Sequence, residues 1–255
     1  MNLKKTRGVG SAVVRTIAMI CLILGLGGVC LVQNGKLNMG TNSGAKLLEL
    51  LEKSSGDMGS ITLALMCQVI YACAAPLFAF LLVEGERHTG DIKNYLVRVL
   101  GVAAVSELPF NLATSGKILD TGSLNPGFGL AMALIALWFF RRYGEKNARD
   151  TVLRIVITVA AMLWTMMLSI QEGPCLVLIT AVLWATYEKP LWRSIFGCIA
   201  ALGCCIFSPF YVLSFVSVLV LHLYNGEKSP ENKYVKLAIY PVAMLAIGLV
   251  LKYMF

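Results

Sequence analysis

Long apolar runs separated by short polar segments dominate the pattern of residues along this chain. The runs at Val13–Val32, Ile61–Val83 and Thr151–Ile170 each approach or exceed the roughly 20 residues that a helix needs to cross the hydrocarbon core of a membrane. None of them alternates with the period of two that is typical of a half-buried strand. The pattern therefore predicts an all-α chain built from membrane-spanning helices.

Apolar length and punctuating residues predict about nine helices in one polytopic transmembrane bundle. Eight to ten helices fit the sequence, because the sixth is short and the two that flank Ser208 and Pro209 could form one bent unit. Asn125 and Pro126 are expected to begin the fourth helix, as its cap and its first turn. The predicted helices are Val13–Val32, Ile61–Val83, Tyr95–Ala113, Gly127–Phe140, Thr151–Ile170, Cys175–Thr186, Leu191–Phe207, Phe210–Tyr224 and Lys236–Tyr253.

Residues 1–255 are expected to form a single membrane domain, with one sizeable extramembrane segment at residues 33–60. Within that segment, Leu47, Leu48, Leu50 and Leu51 fall on one face of a helix. The segment is therefore predicted to contain a short amphipathic helix that lies on the external surface of the membrane or caps the bundle.

Composition supports the same class of protein. Hydrophobic residues make up 58% of the chain and charged residues 14%, whereas a soluble domain carries about 25% charged residues. The eight cysteines all lie in apolar runs and show no C-x-x-C spacing. They are expected to be small buried side chains, and no metal site is predicted.

The net charge of +8 is compatible with nucleic-acid binding, but the distribution of the basic residues favours a topological explanation. If the N-terminus is cytoplasmic, all but five of the 22 Lys and Arg residues fall in cytoplasmic segments. The sequence therefore predicts a cytoplasmic N-terminus, an external C-terminus, the lipid bilayer as partner and no nucleic acid. The cytoplasmic segments would be residues 4–15, 84–98, 141–154, 189–193 and 225–236.

One succession of motifs resembles the TraX family. It begins at Pro76 with P-L-F-A-F-L-L-V-E-G-x-x-H-T and continues at Ser106 with S-E-x-P-F-N-L-A. Late in the chain, the LYNGEK stretch at Leu223–Lys228 and the IYP stretch at Ile239–Pro241 resemble further elements of that family. The resemblance extends from about residue 17 to the C-terminus, in the order and spacing of the family pattern.

The resemblance implies a multi-pass protein of the bacterial cytoplasmic membrane. The family is named for N-terminal acetylation of F-type conjugative pilin and is related to membrane acyltransferases that use coenzyme A donors. It therefore implies acetyl transfer from acetyl-CoA, with pilin or another envelope protein as acceptor and partner.

Glu107 is the first candidate catalytic residue. It precedes Pro109, which cannot donate a hydrogen bond to the carbonyl of Val105, so polar backbone is released beside a charge. Such polarity inside a membrane is tolerated where it faces a cavity or pairs with another group. Ser106 and Asn111 are expected to line a polar cavity with Glu107. The alternative is that Glu107 pairs inside the bundle, for example with a base, and only stabilises packing.

A second group of candidates lies at the predicted cytoplasmic end of the second helix. His88 is the candidate catalytic base, and Arg87 and Arg98 are expected to meet the phosphates of a coenzyme A donor, with Glu84 as a further donor-binding residue. Gly85 is expected to permit a turn or a left-handed helix cap. The alternative is a solvated loop that only obeys the positive-inside rule.

Tyr240, in the Y-P element, completes the set of residues that the resemblance implicates in substrate binding. His222 lies in an apolar run and is expected to be hydrogen-bonded within the bundle.

The chain departs from the family pattern where that pattern has acid–base residues. An Asp-His pair in the first helix corresponds here to Gly25 and Leu26, a D-Y-G element to residues 171–173, and a late histidine to Ala243. Because acyl transfer needs a group that accepts the proton of the acceptor, these changes put activity in question. A catalytically inactive relative that serves as a membrane partner subunit is therefore the alternative, and a small transporter is a less favoured one.

Overall fold

The computed structural model describes residues 8–37, 49, 58–143, 147–227 and 233–254. These residues form nine α-helices and no strand, as the all-α prediction requires. A π-helical stretch at Val29–Lys36 continues α1, and two short 3-10 helices, Cys204–Ile206 and Pro209–Leu213, separate α7 from α8. The helices are α1 Ser11–Gly28, α2 Met58–Arg87, α3 Ile92–Ser115, α4 Pro126–Arg142, α5 Ala148–Met167, α6 Gly173–Ala185, α7 Pro190–Gly203, α8 Phe215–His222 and α9 Lys233–Met254.

Four helical segments in the described part of the chain are long and apolar enough to cross a membrane: residues Ser11–Gln33, α2, α3 and α5. The other apolar helical segments, which include residues Ala238–Tyr253 of α9, are 10–17 residues long. With 13 residues, α6 is only about 20 Å long, against about 30 Å for the hydrocarbon core of a bilayer. The chain is a helical membrane bundle in which some helices are shorter than the hydrocarbon core is thick.

The centre of the bundle is α2. This helix packs against α1, α4, α6 and α8, and its large side chains Leu77 and Phe80 are almost completely buried. Apolar residues surround the whole helix rather than one stripe, which is the pattern of a helix buried on all sides. The other helices therefore take their positions from α2.

Glycines bring α1 into close contact with α2. A Cβ atom added to Gly25 would lie 2.4 Å from the backbone nitrogen of Tyr71, and one added to Gly28 would lie 2.3 Å from Sγ of Cys67. Small residues at such a crossing allow two helix backbones to approach, which is a common basis of packing in membranes. Gly25 therefore stands at a helix contact that has no room for a side chain.

One end of the bundle gathers the basic segments. The chain before α1 pairs with the chain after α8, through hydrogen bonds from Val9 N to Leu223 O (2.8 Å) and from Asn225 N to Val9 O (3.1 Å). The C-terminal ends of α2, α4 and α6 meet beside them, where Arg87 donates to Trp184 O at 3.2 Å. We call this the basic end. The charge pattern predicts that these segments share one side, and the described ones do; Lys4–Arg7 and Lys228 lie outside the described residues.

At the opposite end, the loop before α4 pairs with the loop before α6. Leu124 N donates to Ser169 O at 3.1 Å, and Gln171 N donates to Leu124 O at 2.9 Å. Gln33 belongs to the helical continuation of α1, where its side chain accepts a 3.0 Å hydrogen bond from Gln68. The predicted amphipathic helix, with Leu47, Leu48, Leu50 and Leu51, lies outside the described residues.

The α1–α2 contact makes a testable prediction about stability. Gly25→Val places a side chain against the backbone of Tyr71 and is expected to destabilise the protein by about 1–3 kcal/mol, because overpacking forces helices apart. The control is Gly101→Val on α3, since Gly101 is exposed and an added Cβ meets no atom within 4 Å. Thermal unfolding in detergent should show a lower midpoint for Gly25→Val alone; equal midpoints would contradict the close contact.

Candidate functional site

A cavity of about 200 Å³ lies in the middle of the bundle. Its walls come from α1, α2, α3, α4, α6 and α9, and they are mostly apolar. Since α3 packs mainly against α4 and α9, the cavity fills the space between α3 and the α1–α2 pair. The lining residues are Met19, Leu22, Tyr71, Ala74, Ala75, Phe78, Val99, Val102, Ala103, Pro126, Gly127, Leu130, Glu172, Leu176 and Tyr240.

Glu172 brings a carboxylate to this cavity. It immediately precedes α6 and adopts a left-handed backbone conformation, with φ of 58°, as does Ser169 with φ of 51°. Non-glycine residues in this region carry strain of about 1–3 kcal/mol, which surrounding structure must compensate. Here the pairing between Leu124 and the loop of Ser169 supplies that support, and it holds Glu172 at the start of α6.

A tyrosine from a distant part of the chain fixes the Glu172 side chain. The hydroxyl of Tyr211 donates to Oε2 of Glu172 at 2.5 Å, and Tyr211 itself is completely buried. The Tyr211 hydroxyl thus satisfies one oxygen of the buried carboxyl group. The carboxylate is therefore held in one orientation at the wall of the cavity.

Two further tyrosines present hydroxyl groups that find no hydrogen-bond partner among the described residues. Tyr71 is 4% exposed, and both Tyr71 and Tyr240 line the cavity. A buried hydroxyl without a partner costs about 1–3 kcal/mol, so these groups are expected to bond to whatever occupies the cavity. Tyr240, a predicted substrate-binding residue, thus lies at the cavity, whereas nothing in the sequence singled out Tyr71.

Glu107 has a different role from the one that the cavity hypothesis assigned to it. Its Oε2 accepts hydrogen bonds from the backbone N–H and the side-chain amide of Asn125, at 3.1 and 2.6 Å. The same amide donates to Ala103 O at 2.8 Å, and Oδ1 of Asn125 accepts from Gly127 N. Glu107 therefore joins α3 to the start of α4. Internal pairing is correct, but the partner is a helix cap and not a base.

Ser106 and Asn111 are buried on α3 but do not line the cavity. Ser106 Oγ, Asn111 Oδ1 and the second carboxylate oxygen of Glu107 are enclosed and have no hydrogen-bond partner among the described residues. These three residues are thus not part of the lining of this cavity, and a polar cavity of their own stays a prediction. The Glu107 side chain is instead directed to Asn125.

At the basic end, Glu84 lies in a closed hydrogen-bond network. Its carboxylate accepts from the hydroxyls of Tyr187 and Tyr224, the latter at 2.7 Å, and contacts Nε2 of His88 at 3.0 Å. Burial, followed by the nearby Glu84 carboxylate, raises the pKa of Tyr187 to about 12. The pKa of Tyr224 is raised for the same two reasons. Both hydroxyls are thus protonated donors at neutral pH, and they saturate Glu84, a predicted donor-binding residue.

The buried Glu86 forms an ion pair with the partly exposed Arg141 next to this network. Arg141 Nε donates to the Glu86 carboxylate and its Nη2 donates to Glu86 O at 2.6 Å. Trp184 Nε1 reaches the other carboxylate oxygen at 3.3 Å, and the guanidinium of Arg87 lies 4.9 Å from the Trp184 ring centroid. These contacts tie α2, α4 and α6 together, so the predicted donor-binding residue Arg87 contributes to packing here.

The remaining basic-end candidates lie at the surface. The His88 side chain is 43% exposed and its described partner is Glu84, which places it far from the cavity along α2. Arg98 is exposed, and its Nε donates to Asn94 O at 3.1 Å. The two predicted catalytic residues, His88 and Glu107, are therefore on different helices at different depths, and the structure does not bring them together.

Gly85 serves close packing and not a turn. It lies inside α2, which continues to Arg87, so the predicted turn or left-handed cap is wrong. A Cβ added to Gly85 would lie 2.5 Å from the hydroxyl of Tyr95. The glycine therefore allows Tyr95 of α3 to close the gap between α2 and α3 at the basic end.

His222 confirms the expectation of a hydrogen bond inside the bundle. Its Nδ1 lies 2.9 Å from Oγ of Ser194, which also donates to Pro190 O at 3.0 Å. The adjacent Arg193 donates to Leu221 O at 3.0 Å. These contacts join α7 to α8 across the break at Ser208.

The predicted helix cap at Asn125 is also confirmed, because its Oδ1 accepts a hydrogen bond from Gly127 N.

Comparison with known proteins identifies the family. The model of the family described as TraX protein matches residues 11–251, nearly the whole chain. The chain belongs to the TraX family. No curated protein and no solved structure matches it.

The chain is thus a TraX-family membrane protein related to conjugal transfer, in agreement with the resemblance of its motifs.

Positions 25, 26, 171 and 243 do not line the cavity of this TraX protein. Leu26 is buried among apolar residues, and Gly25 touches Tyr71. The sequence did contain one signal for the cavity carboxylate: Glu172 lies in the segment that corresponds to the D-Y-G element.

The ion pair between Arg141 and Glu86 makes a prediction for the basic end. Arg141→Met leaves the buried Glu86 carboxylate with Trp184 as its described partner, and the expected cost is about 1–3 kcal/mol of unfolding free energy, because Arg141 is 36% exposed and water screens the pair. Arg142→Met, at an exposed position next to it, is the control and should change stability by less than about 0.5 kcal/mol. Chemical unfolding in detergent measures both. Glu86→Gln in the Arg141→Met background removes the unpaired charge and is expected to restore stability. If the double variant is as unstable as Arg141→Met alone, the ion pair is refuted.

Proposed function

We propose that this TraX-family protein is a membrane acyltransferase that moves an acyl group from a coenzyme A thioester to an amine or hydroxyl of an envelope component. One observation supports this most strongly: Glu172, whose carboxylate Tyr211 orients, and Tyr71, whose buried hydroxyl has no hydrogen-bond partner among the described residues, line the same cavity. A proton acceptor beside a hydrogen-bond donor is the minimal set that acyl transfer requires.

In the proposed reaction, the acceptor nitrogen or oxygen attacks the thioester carbonyl carbon while Glu172 takes the acceptor's proton. The Tyr71 hydroxyl donates to the carbonyl oxygen, where negative charge develops. The carbon–sulfur bond then breaks, and the leaving thiolate takes the proton from Glu172. The carboxylate is regenerated, and the products are the acylated acceptor and free coenzyme A.

The residues present fit a thioester donor in two respects. The buried Tyr71 hydroxyl suits the thioester carbonyl, and the exposed Lys93 and Arg98 at the start of α3 would hold phosphate groups of the nucleotide. Along α3, Ala103 of the cavity wall lies ten residues beyond Lys93, which is about 15 Å, a distance that an extended pantetheine arm spans. Acetyl is the group that the family resemblance implies, and pilin or another envelope protein is the implied acceptor.

A second candidate function is that of a non-catalytic membrane partner subunit. Two observations favour it. No histidine lines the cavity. Gly25, at the position where the resemblance places an acid, contacts α2 so closely that a carboxylate has no room. In this alternative Glu172 and Tyr211 only hold the loop before α6 in place. The same experiment distinguishes the two functions.

Replacement of Glu172 tests the proposed reaction. Glu172→Gln keeps the size of the side chain and an acceptor for Tyr211, and it is expected to lower kcat by about 10²–10⁴-fold because the proton acceptor is lost. Transfer of labelled acetyl from acetyl-CoA to amine and hydroxyl acceptors in proteoliposomes is the measurement.

Two carboxylates serve for comparison in that assay. Glu188→Gln, at an exposed site of the basic end, controls for the loss of a charge. Glu107→Gln distinguishes a reaction at Glu172 from one at Glu107. The amide oxygen of the variant can still accept from Asn125, so activity should change by less than about tenfold, because one neutral hydrogen bond contributes about 0.5–1.5 kcal/mol. A larger loss in Glu107→Gln than in Glu172→Gln would assign the reaction to α3, and no transfer by the unaltered protein favours the partner subunit.

We further propose that the basic end faces the cytoplasm of a bacterial cell, with the protein in the cytoplasmic membrane. The positive-inside bias supports this orientation, as does the clustering of the described basic segments at one end. Since α9 starts at the basic end and runs to the opposite end, a fusion after Phe255 is expected to lie outside the cytoplasm. Alkaline phosphatase fused there should be active, and a fluorescent protein fused there should be dark. The reverse result would invert the orientation.

A further inference from the structure

The central cavity is larger and more apolar than an acetyl group requires. Its volume is about 200 Å³, and an apolar cavity of about 150 Å³ in a protein accommodates benzene, with six carbon atoms. By the same ratio this cavity holds about eight carbon atoms. The two carbons of an acetyl group would leave most of it empty.

The chemistry of the walls is divided. Most lining side chains are aliphatic or aromatic, including Met19, Phe78, Val102, Leu130 and Leu176. Polar side chains are contributed by Glu172, Tyr71 and Tyr240. This is the arrangement that a molecule with a hydrocarbon tail and one polar group requires, because small-ligand sites combine apolar walls with a few polar groups that fix orientation.

The polar groups also indicate which head group fits. The Tyr71 hydroxyl can donate to a carbonyl oxygen, and the Glu172 carboxylate can accept from an N–H or O–H group. A free fatty acid at neutral pH would place its own negative charge beside Glu172, which is unfavourable for two like charges at short distance. A thioester, ester or amide carbonyl fits, and a carboxylate does not.

We propose that the cavity binds a saturated acyl chain of six to eight carbons through its carbonyl-bearing derivative, a thioester or an ester, with the carbonyl at Tyr71 and Glu172 and the tail against the apolar walls. That this chain length is also selected during acyl transfer rests on the function proposed above, whereas binding of the chain in the cavity does not. The ligand is thus a medium-chain acyl group, delivered either by coenzyme A or by a membrane lipid.

Chain-length dependence of binding is the direct test. The full-length protein in nanodiscs is titrated with acyl-CoA thioesters of two, four, six, eight, twelve and sixteen carbons. Each buried methylene contributes about 0.8 kcal/mol, or about fourfold in affinity, so binding should tighten by about two orders of magnitude from acetyl to hexanoyl. It should then weaken beyond eight carbons. An affinity that is independent of chain length, or that keeps rising to sixteen carbons, overturns the proposal.

Two variants change the cavity in opposite directions. Ala103→Leu adds three carbons at the cavity wall and should shift the preferred chain from about eight to about five carbons. Val102→Ala removes two and should lengthen it by about two. Ala104→Leu, on the exposed side of the same turn, is the matched control and should leave the preference unchanged. Val102→Ala enlarges the cavity, so it remains informative if Ala103→Leu fails to fold. An unchanged preferred chain length in Val102→Ala contradicts the proposal.

The head group and its source are tested separately. Tyr71→Phe keeps the ring and should weaken thioester binding by about fivefold, the value of one hydrogen bond of about 1 kcal/mol. Octanoate should bind far more weakly than octanoyl-CoA; equal binding overturns the carbonyl assignment. Competition by a dioctanoyl glycerolipid assigns the chain to a lipid, and its failure assigns it to the thioester.

Transfer assays then separate this proposal from the enzyme hypothesis. Acetyl transfer without any chain-length preference in binding would leave the acyltransferase function standing and overturn the medium-chain cavity. Chain-selective binding without transfer of any acyl group would leave the cavity standing and overturn the enzyme.

Discussion

Lipid offers no hydrogen-bond partner, so each polar group inside this bundle must pair with another part of the protein or open onto a cavity. Four carboxylates are placed according to that constraint. Glu84 and Glu86 are satisfied at the basic end by tyrosines, Trp184 and an arginine, Glu107 by the start of α4, and Glu172 by a tyrosine before α8. The pairings of Glu84, Glu86 and Glu172 join segments that are distant in sequence, and the pairing of Glu107 joins two consecutive helices, so the polar groups also hold the apolar helices in register.

Among the exceptions to that constraint, those of Tyr71 and Tyr240 lie at the cavity, whereas those of Ser106, Glu107 and Asn111 lie on α3 away from its lining. The Tyr71 hydroxyl is buried without a described partner, and it shares a cavity with Glu172, whose backbone is left-handed. Unpaired polarity and backbone strain each cost stability, and both occur at the wall of the same internal space. At the basic end, by contrast, Glu84 and Glu86 are saturated, which leaves that end suited to anchoring helices.

Membership of the TraX family and the geometry of the cavity bear on different questions. The family accounts for the bundle, whereas the acid–base chemistry depends on which side chains reach the interior. Gly25 stands where the family pattern has an acid, and its contact with Tyr71 leaves no space for one. In the proposed reaction the proton acceptor therefore comes from another part of the chain, the loop before α6, which holds Glu172.

The sequence by itself determined the all-α membrane class, the cap at Asn125 and the gathering of basic segments on one side, because hydrophobic length, capping chemistry and charge counts are local properties. It also showed that Glu107 needs a partner, but only the tertiary structure decided that this partner is an asparagine on the next helix. Gly85 looks like a turn in sequence and is a contact for Tyr95, and Glu172 looks like a departure from a motif and lines the cavity. Such roles depend on which helices meet and at what depth, and packing between distant segments sets both.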